Sequence, residues 1–353
     1  MTRSSDSDFN GLVFSALTTN TTHFYKVLRA IAPKTARGQS TGPLDNPGAA
    51  GGDTFVLTTI TADGIAFSVG DMHTGMGRLY LKRDLFSDYN YRPDNPPPSY
   101  DDDDDGDENA SVTFKLSLDR LIICLQMFAV DAGSAGANTT AAAAAAPEDA
   151  STCRMIYQGA GHPFLLVFRQ PSTSLVTTCE FNTLDLEPTG EDEDEALRMD
   201  LTNVALQLII AGRVMADAVS ELKAIDTEIL TLRAARTSTP RFVLLSHGKI
   251  GLSQFSFPED TSGGKPLFER FMVNAPAADL DVVVNSYTFG QILKAQDAMA
   301  LASRVSIRCD AHGYMSIQSM YELGTGTAIF IDFRFCAIQD DDLTERLERL
   351  GYD

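Results

Sequence analysis

Tryptophan is absent from this 353-residue chain, and cysteine is scarce. The five cysteines (Cys124, Cys153, Cys179, Cys309 and Cys336) are odd in number, far apart and without a C-x-x-C pair. That pattern argues against a disulfide framework and predicts reduced, mostly buried thiols in an intracellular protein. No stretch approaches the ~20 apolar residues that cross a bilayer, so no membrane partner is expected. Met1–Asn10 is polar and lacks the basic region and apolar core of a secretory signal. Cations are few as well: 28 Lys and Arg face 48 Asp and Glu, for a net charge of −20. Taken globally, that balance argues against simple wrapping of nucleic acid.

The motifs of common enzymes are also missing. No G-x-S-x-G and no P-loop occur, and Gly263-Gly264-Lys265 lacks the upstream glycine and following hydroxyl of one. The histidines His23, His73, His162, His247 and His312 stand apart without metal-ligand spacing. Asp101–Asp105, beside prolines, has the composition of a solvated loop rather than of carboxylates held rigidly around two metals. No metal site and no cofactor are expected.

What is present is globular composition, 44% hydrophobic with 20 Phe, in a chain long enough for two domains. The acidity is local. Asp101–Glu108, Asp185–Asp200 and Asp340–Asp353 together carry all but two of the net negative charges. The remaining body is near neutral and can carry a local basic face. Three segments have the composition of insertions: 36–53, rich in Gly, Pro, Ser and Asn; 87–110, with three prolines and the aspartate run; and 131–152, with the alanine run Ala141–Ala146.

The rest repeats. Ser111–Thr183 reads as a strand, an amphipathic helix on Leu118, Leu121, Ile122, Leu125 and Phe128, a strand, a Gly159–Gly161 turn and two strands. Asp279–Ile338 reads in the same order, with a helix on Phe289, Ile292 and Leu293 and a turn at Asp310–Gly313. Upstream of each lies another helix, with Phe24, Val27, Leu28 and Ile31 or Met215, Ala218, Val219 and Leu222 as its apolar stripe, then three strands. A fixed order recurring half a chain apart predicts a duplicated α+β unit, with helices on one face of antiparallel sheets. The expected boundaries are 1–183, an acidic connector 184–200, 201–339 and an acidic tail 340–353.

This layout resembles the sliding-clamp family typified by PCNA, through Thr61-Ala-Asp-Gly-Ile65, Ile250-Gly-Leu-Ser-Gln254 and Cys179–Glu187. Within it, Arg154–Pro163, Val219–Leu222, Phe255–Pro258 and Val305–Asp310 followed by Gly313 resemble the Rad-one-type subunits of the heterotrimeric checkpoint clamp, the nine-one-one complex. The resemblance covers most of residues 10–339. It implies two tandem PCNA-like domains in a nuclear, non-catalytic ring subunit acting in the DNA-damage checkpoint. The implied partners are a Rad-nine-type and a Hus-one-type subunit, a clamp-loader complex, double-stranded DNA without sequence preference, and repair enzymes.

Clamp helices line the hole. Carried over, the DNA-facing residues are Lys26 and Arg29 on the first helix, Arg120 on the second, Arg213 on the third and Lys294 on the fourth. Phosphate contacts of this kind hold DNA without reading sequence. Asp217, Glu221 and Asp297 share the polar faces of the later helices. Ring closure pairs sheet edges between subunits. The residues implied are Val176, Thr177, Thr178, Cys179 and Phe181 on one edge, and Gly251, Leu252, Ser253, Phe255 and Phe257 on the other. The alternatives are a homotrimeric replication clamp, a metal-dependent exonuclease and a scaffold that never encloses DNA. The tail is expected to be a frayed acidic segment, with a short partner-binding helix carrying Leu343, Leu347 and Leu350 on one face as the alternative.

Overall fold

The computed structural model describes residues 12–33, 53–71, 75–92, 111–129, 152–170, 174–186, 199–249, 251–260, 263–274, 281–324 and 326–338. The aspartate run, the alanine run and the leucines of the tail lie outside them.

The first half runs β1 (Phe14–Thr18), α1 (Thr21–Ile31), β2 (Phe55–Thr61), β3 (Gly64–Asp71), β4 (Gly75–Lys82), β5 (Asp88–Tyr91), β6 (Val112–Ser117), α2 (Leu118–Phe128), β7 (Thr152–Tyr157), β8 (Phe164–Arg169) and β9 (Val176–Phe181). The second half repeats it: β10 (Val204–Ala211), α3 (Gly212–Ala224), β11 (Thr227–Ala235), β12 (Phe242–Gly248), β13 (Gly251–Phe257), β14 (Phe268–Val273) and β15 (Val282–Thr288). Its second helix is split into α4 (Phe289–Ile292), a 3₁₀ turn and α5 (Gln296–Leu301), before β16 (Arg304–Asp310), β17 (Met315–Glu322) and β18 (Ala328–Phe335). Among the described residues each half thus holds nine strands in one order, which is the expected duplication.

Three expectations shift at their borders. Asp88–Tyr91, expected within the second insertion, forms β5 against β1. There Phe14 and Tyr89 meet ring to ring at 5.4 Å. Asp53, expected within the first insertion, accepts from the Ser117 hydroxyl at 3.2 Å. The fourth helix is interrupted by a 3₁₀ turn at Leu293–Ala295.

Contacts divide the chain into two units: 1–32, 36–68 and 80–188 in the first; 33–35, 69–79 and 189–353 in the second. In the first, β5-β1-β7-β8-β9 form one antiparallel sheet, and β3-β2-β6 lie in another. Phe24, Val27 and Leu28 of α1 are fully buried, as are Leu118 and Leu125 of α2, and the two helices pack side by side. Ser117 caps α2, its hydroxyl accepting from the Arg120 N–H at 3.4 Å. Past β9 the chain turns back, and Leu184 exchanges backbone hydrogen bonds with Lys115 of β6 at 2.8 and 2.9 Å.

The second unit has the same design. β14-β10-β16-β17-β18 is the counterpart of β5-β1-β7-β8-β9, and β13-β12-β11-β15 is the counterpart of β4-β3-β2-β6. Past β18, Ile338 donates its N–H to Ser286 O of β15 at 2.7 Å, as Leu184 does to β6. The stretch 75–79 of β4, which belongs to this unit, runs beside β18. A Cβ on Gly77 would come within 2.7 Å of the Phe333 ring, so the strands approach this closely only over a glycine.

α3 packs on α5 through its first residue. A Cβ on Gly212 would sit 2.2 Å from Ala302 O and 2.5 Å from Met299 O, both main-chain atoms with no rotamer to yield. Gly212→Ala is therefore expected to destabilise the chain by about 3 kcal/mol, the upper range for overpacking, read as a lowered urea midpoint. A loss below about 1 kcal/mol would show that the two helices part freely.

Candidate DNA-facing and ring-closing surfaces

The residues expected to face DNA lie on or beside the four helical segments, and their surroundings differ. On α1, Lys26 and Arg29 are exposed opposite the buried stripe, and Arg29 donates to the Tyr25 hydroxyl at 3.1 Å. Neither has a carboxylate partner among the described residues. Between them and the core, burial first and then the Lys26 ammonium hold His23 below its ordinary pKa. On α2, Arg120 is exposed but tied to Asp53 at 3.0 Å. Beyond it the outward face is apolar, with Ile123 60% and Met127 64% exposed. On α3, Arg213 stands 3.8 Å from Asp217, one turn on. Lys294 lies in the 3₁₀ turn and is half-buried. The sequence shows a cation at each site. It does not show Asp53, 67 positions before Arg120 in the chain, or that Ile123 and Met127 of α2 are largely exposed among the described residues.

The residues expected to close the ring lie on two sheet-terminal strands, β9 and β13. β9 ends one sheet and β13 another, and neither has a second neighbour among the described residues. Alternation sorts the side chains. Val176, Thr178, Gly251, Leu252 and Ser253 are exposed, and Thr177, Cys179 and Phe255 are half-buried. Phe181 and Phe257 turn inward, 6% and 8% exposed, so they offer only backbone to a neighbour. Phe257 instead meets Phe242 at 5.0 Å. The sequence reading passed over Leu175, 55% exposed just before β9. Its signal was an apolar residue at the mouth of a strand already read as an edge.

No three His, Cys, Asp or Glu side chains among the described residues converge to hold a metal ion. All five cysteines are free thiols. Burial pushes the Cys153 and Cys309 thiols up to about 12, which leaves almost no thiolate near neutrality.

The family described as repair protein Rad1/Rec1/Rad17 matches residues 13–321. The human cell cycle checkpoint protein RAD1 is 29% identical over 240 residues, covering 67% of this chain and 72% of that one. The DNA damage checkpoint control protein rad1 of Schizosaccharomyces pombe is 23% identical over 290 residues, covering 81% and 80%. Among solved structures, the proliferating cellular nuclear antigen of Entamoeba histolytica aligns with a TM-score of 0.61 at 12% identity, over 93% of this chain and all of that one.

Proposed function

The chain belongs to the Rad1/Rec1/Rad17 family of repair proteins and has the PCNA-like clamp fold, and from that premise we propose that it is one of three related subunits that close a ring around duplex DNA in the nucleus. It acts by enclosure and by recruiting checkpoint and repair factors, without catalysing a reaction. Its partners are a Rad-nine-type and a Hus-one-type subunit, and a clamp loader opens the ring.

The observation that carries this reading is the pair of open edges. In the second unit, β18 has the 75–79 stretch of β4 at its side. The counterpart of β18 is β9, and the counterpart of β4 is β13; each of these ends its sheet, paired on one side only, with β8 and β12 respectively. The duplication therefore supplies the template for a junction made between chains, β9 of one subunit against a β13-like edge of the next. Unpaired edges template such pairing. Because the two edges are different surfaces, the contact is head-to-tail and closes by rotation.

Mixed with the two related subunits, the chain is expected to form a one-to-one-to-one complex by light scattering. Loaded on nicked circular DNA, that complex should stay until the circle is cut and then slide off the ends. A stable homotrimer of the chain alone, or equal retention on cut and circular DNA, would overturn the proposal.

A further inference from the structure

Four helical segments are available to line the hole, and they are not electrically alike. α1 carries Lys26 and Arg29 and no acid, a net +2. α2 carries Asp119 and Arg120, a net zero. α3 carries Arg213 and Lys223 against Asp217 and Glu221, again zero. The α4–α5 stretch carries Lys294 against Asp297, zero once more.

Geometry deepens the contrast. Asp53 sits 3.0 Å from Arg120 and Asp217 3.8 Å from Arg213. These exposed pairs contribute little to stability, but each places an anion where a phosphate would approach. Through water such charges act at similar strength on an approaching phosphate, so the repulsion from the carboxylate offsets most of the attraction from its cation. Ile123 and Met127, 60% and 64% exposed, have no charge to give on the outward surface of α2. Lys294, half-buried in its 3₁₀ turn, is the least extended of the five cations. His23 adds no charge near neutrality, because burial and Lys26 favour its neutral form.

We propose that α1 is the phosphate-contacting element of this chain, through Lys26 and Arg29, and that α2, α3 and α4–α5 enclose the duplex as neutral walls. This rests on the reading that the helices line the hole, and it deepens that reading by assigning the contact to one helix. The ligand is the sugar–phosphate backbone, recognised by charge alone. A subunit that touches DNA on one side of its inner surface leaves the remaining arc free to slide.

The test compares three variants in the assembled heterotrimer, each first shown to keep the trimer mass. The readout is the slope of log affinity against log salt for a linear duplex with free ends. Each phosphate contact accounts for about 0.9 of that slope. Lys26→Ala with Arg29→Ala is expected to reduce it by up to ~1.8 on that scale. Arg120→Ala with Arg213→Ala and Lys294→Ala is expected to leave it unchanged. Ile123→Lys with Met127→Lys is expected to steepen it, because new cations would meet phosphate. If the α1 pair is without effect, or the triple variant has the larger one, while the new lysines still steepen the slope, the assignment falls and the enclosing surface stands. If none of the three variants moves the slope, the helices do not face DNA, and both fall together.

Discussion

Val176→Asp is expected to abolish one junction of the ring and leave the other intact, and Leu252→Asp is expected to do the reverse. Val176 opens β9 at 51% exposure, and Leu252 lies on β13 at 36%. Each is a surface residue of the lone chain, so neither substitution should disturb its folding. In the assembled ring each would be covered, and a carboxylate there would lose water without gaining a partner. The cost is on the order of 3 kcal/mol, which is more than a hundredfold in affinity. Because the edges differ, the two variants should yield complementary binary complexes, each retaining a different partner subunit. Pull-down with the two subunits separately reads this directly. A variant that loses both partners, or an intact ring with either variant, would show that β9 and β13 are not the junctions.

Asp310→Ala is expected to be the most destabilising substitution of a polar residue in the second unit. Asp310 is 2% exposed at the end of β16. One carboxylate oxygen accepts the N–H groups of His312 and Tyr314, both at 2.9 Å, and closes the turn into β17. The other accepts the N–H of Asp200 at 3.0 Å and fixes the residues that lead into β10. Asp200 in turn gathers Thr202 and Asn203. One buried carboxylate thus sets both a turn and the entry to the unit. Hydrogen bonds to a charged group are each worth about 1.5–3 kcal/mol, and orphaned buried donors add to the loss. A total of about 4 kcal/mol is expected, allowing for water at the exposed His312. Asn, which keeps one acceptor oxygen, should cost about half as much on the same scale. Urea midpoints would check both, and a loss under about 1 kcal/mol for Ala would remove Asp310 from this role.

The duplicated plan was legible in the sequence because the strand–helix–strand–turn–strand–strand order stands out twice. Four strands were not read. β10 runs without a break into α3 at Gly212, so its apolar run merges with the helix that follows. β1 is short, and Phe14, Ser15 and Ala16 are buried in succession, which leaves little alternation to read. β14, Phe-Glu-Arg-Phe-Met-Val, places Glu269 and Arg270 in sequence and loses the period of two. β5 lies against the polar run that hid it. The helix stripes gave the positions of the candidate site. Their electrostatics depend on Asp53 and on the half-burial of Lys294, both of which are tertiary facts. Side chains on the edges sorted by alternation, so Phe181 and Phe257 could have been assigned to the core from the sequence.

The open edges also govern what happens when the subunits are made in unequal amounts. A copy without partners shows two bare strand edges, with Leu175, Val176 and Leu252 beside them. Such edges pair with whatever strand arrives, including that of an identical chain, and short charged guards are few on them: Glu180 on β9 and none on β13. Solubility is then a property of stoichiometry rather than of the chain. If β9 and β13 are the ring junctions, surplus copies are expected to aggregate, and co-expression with ring partners is expected to keep the chain in solution by burying those edges.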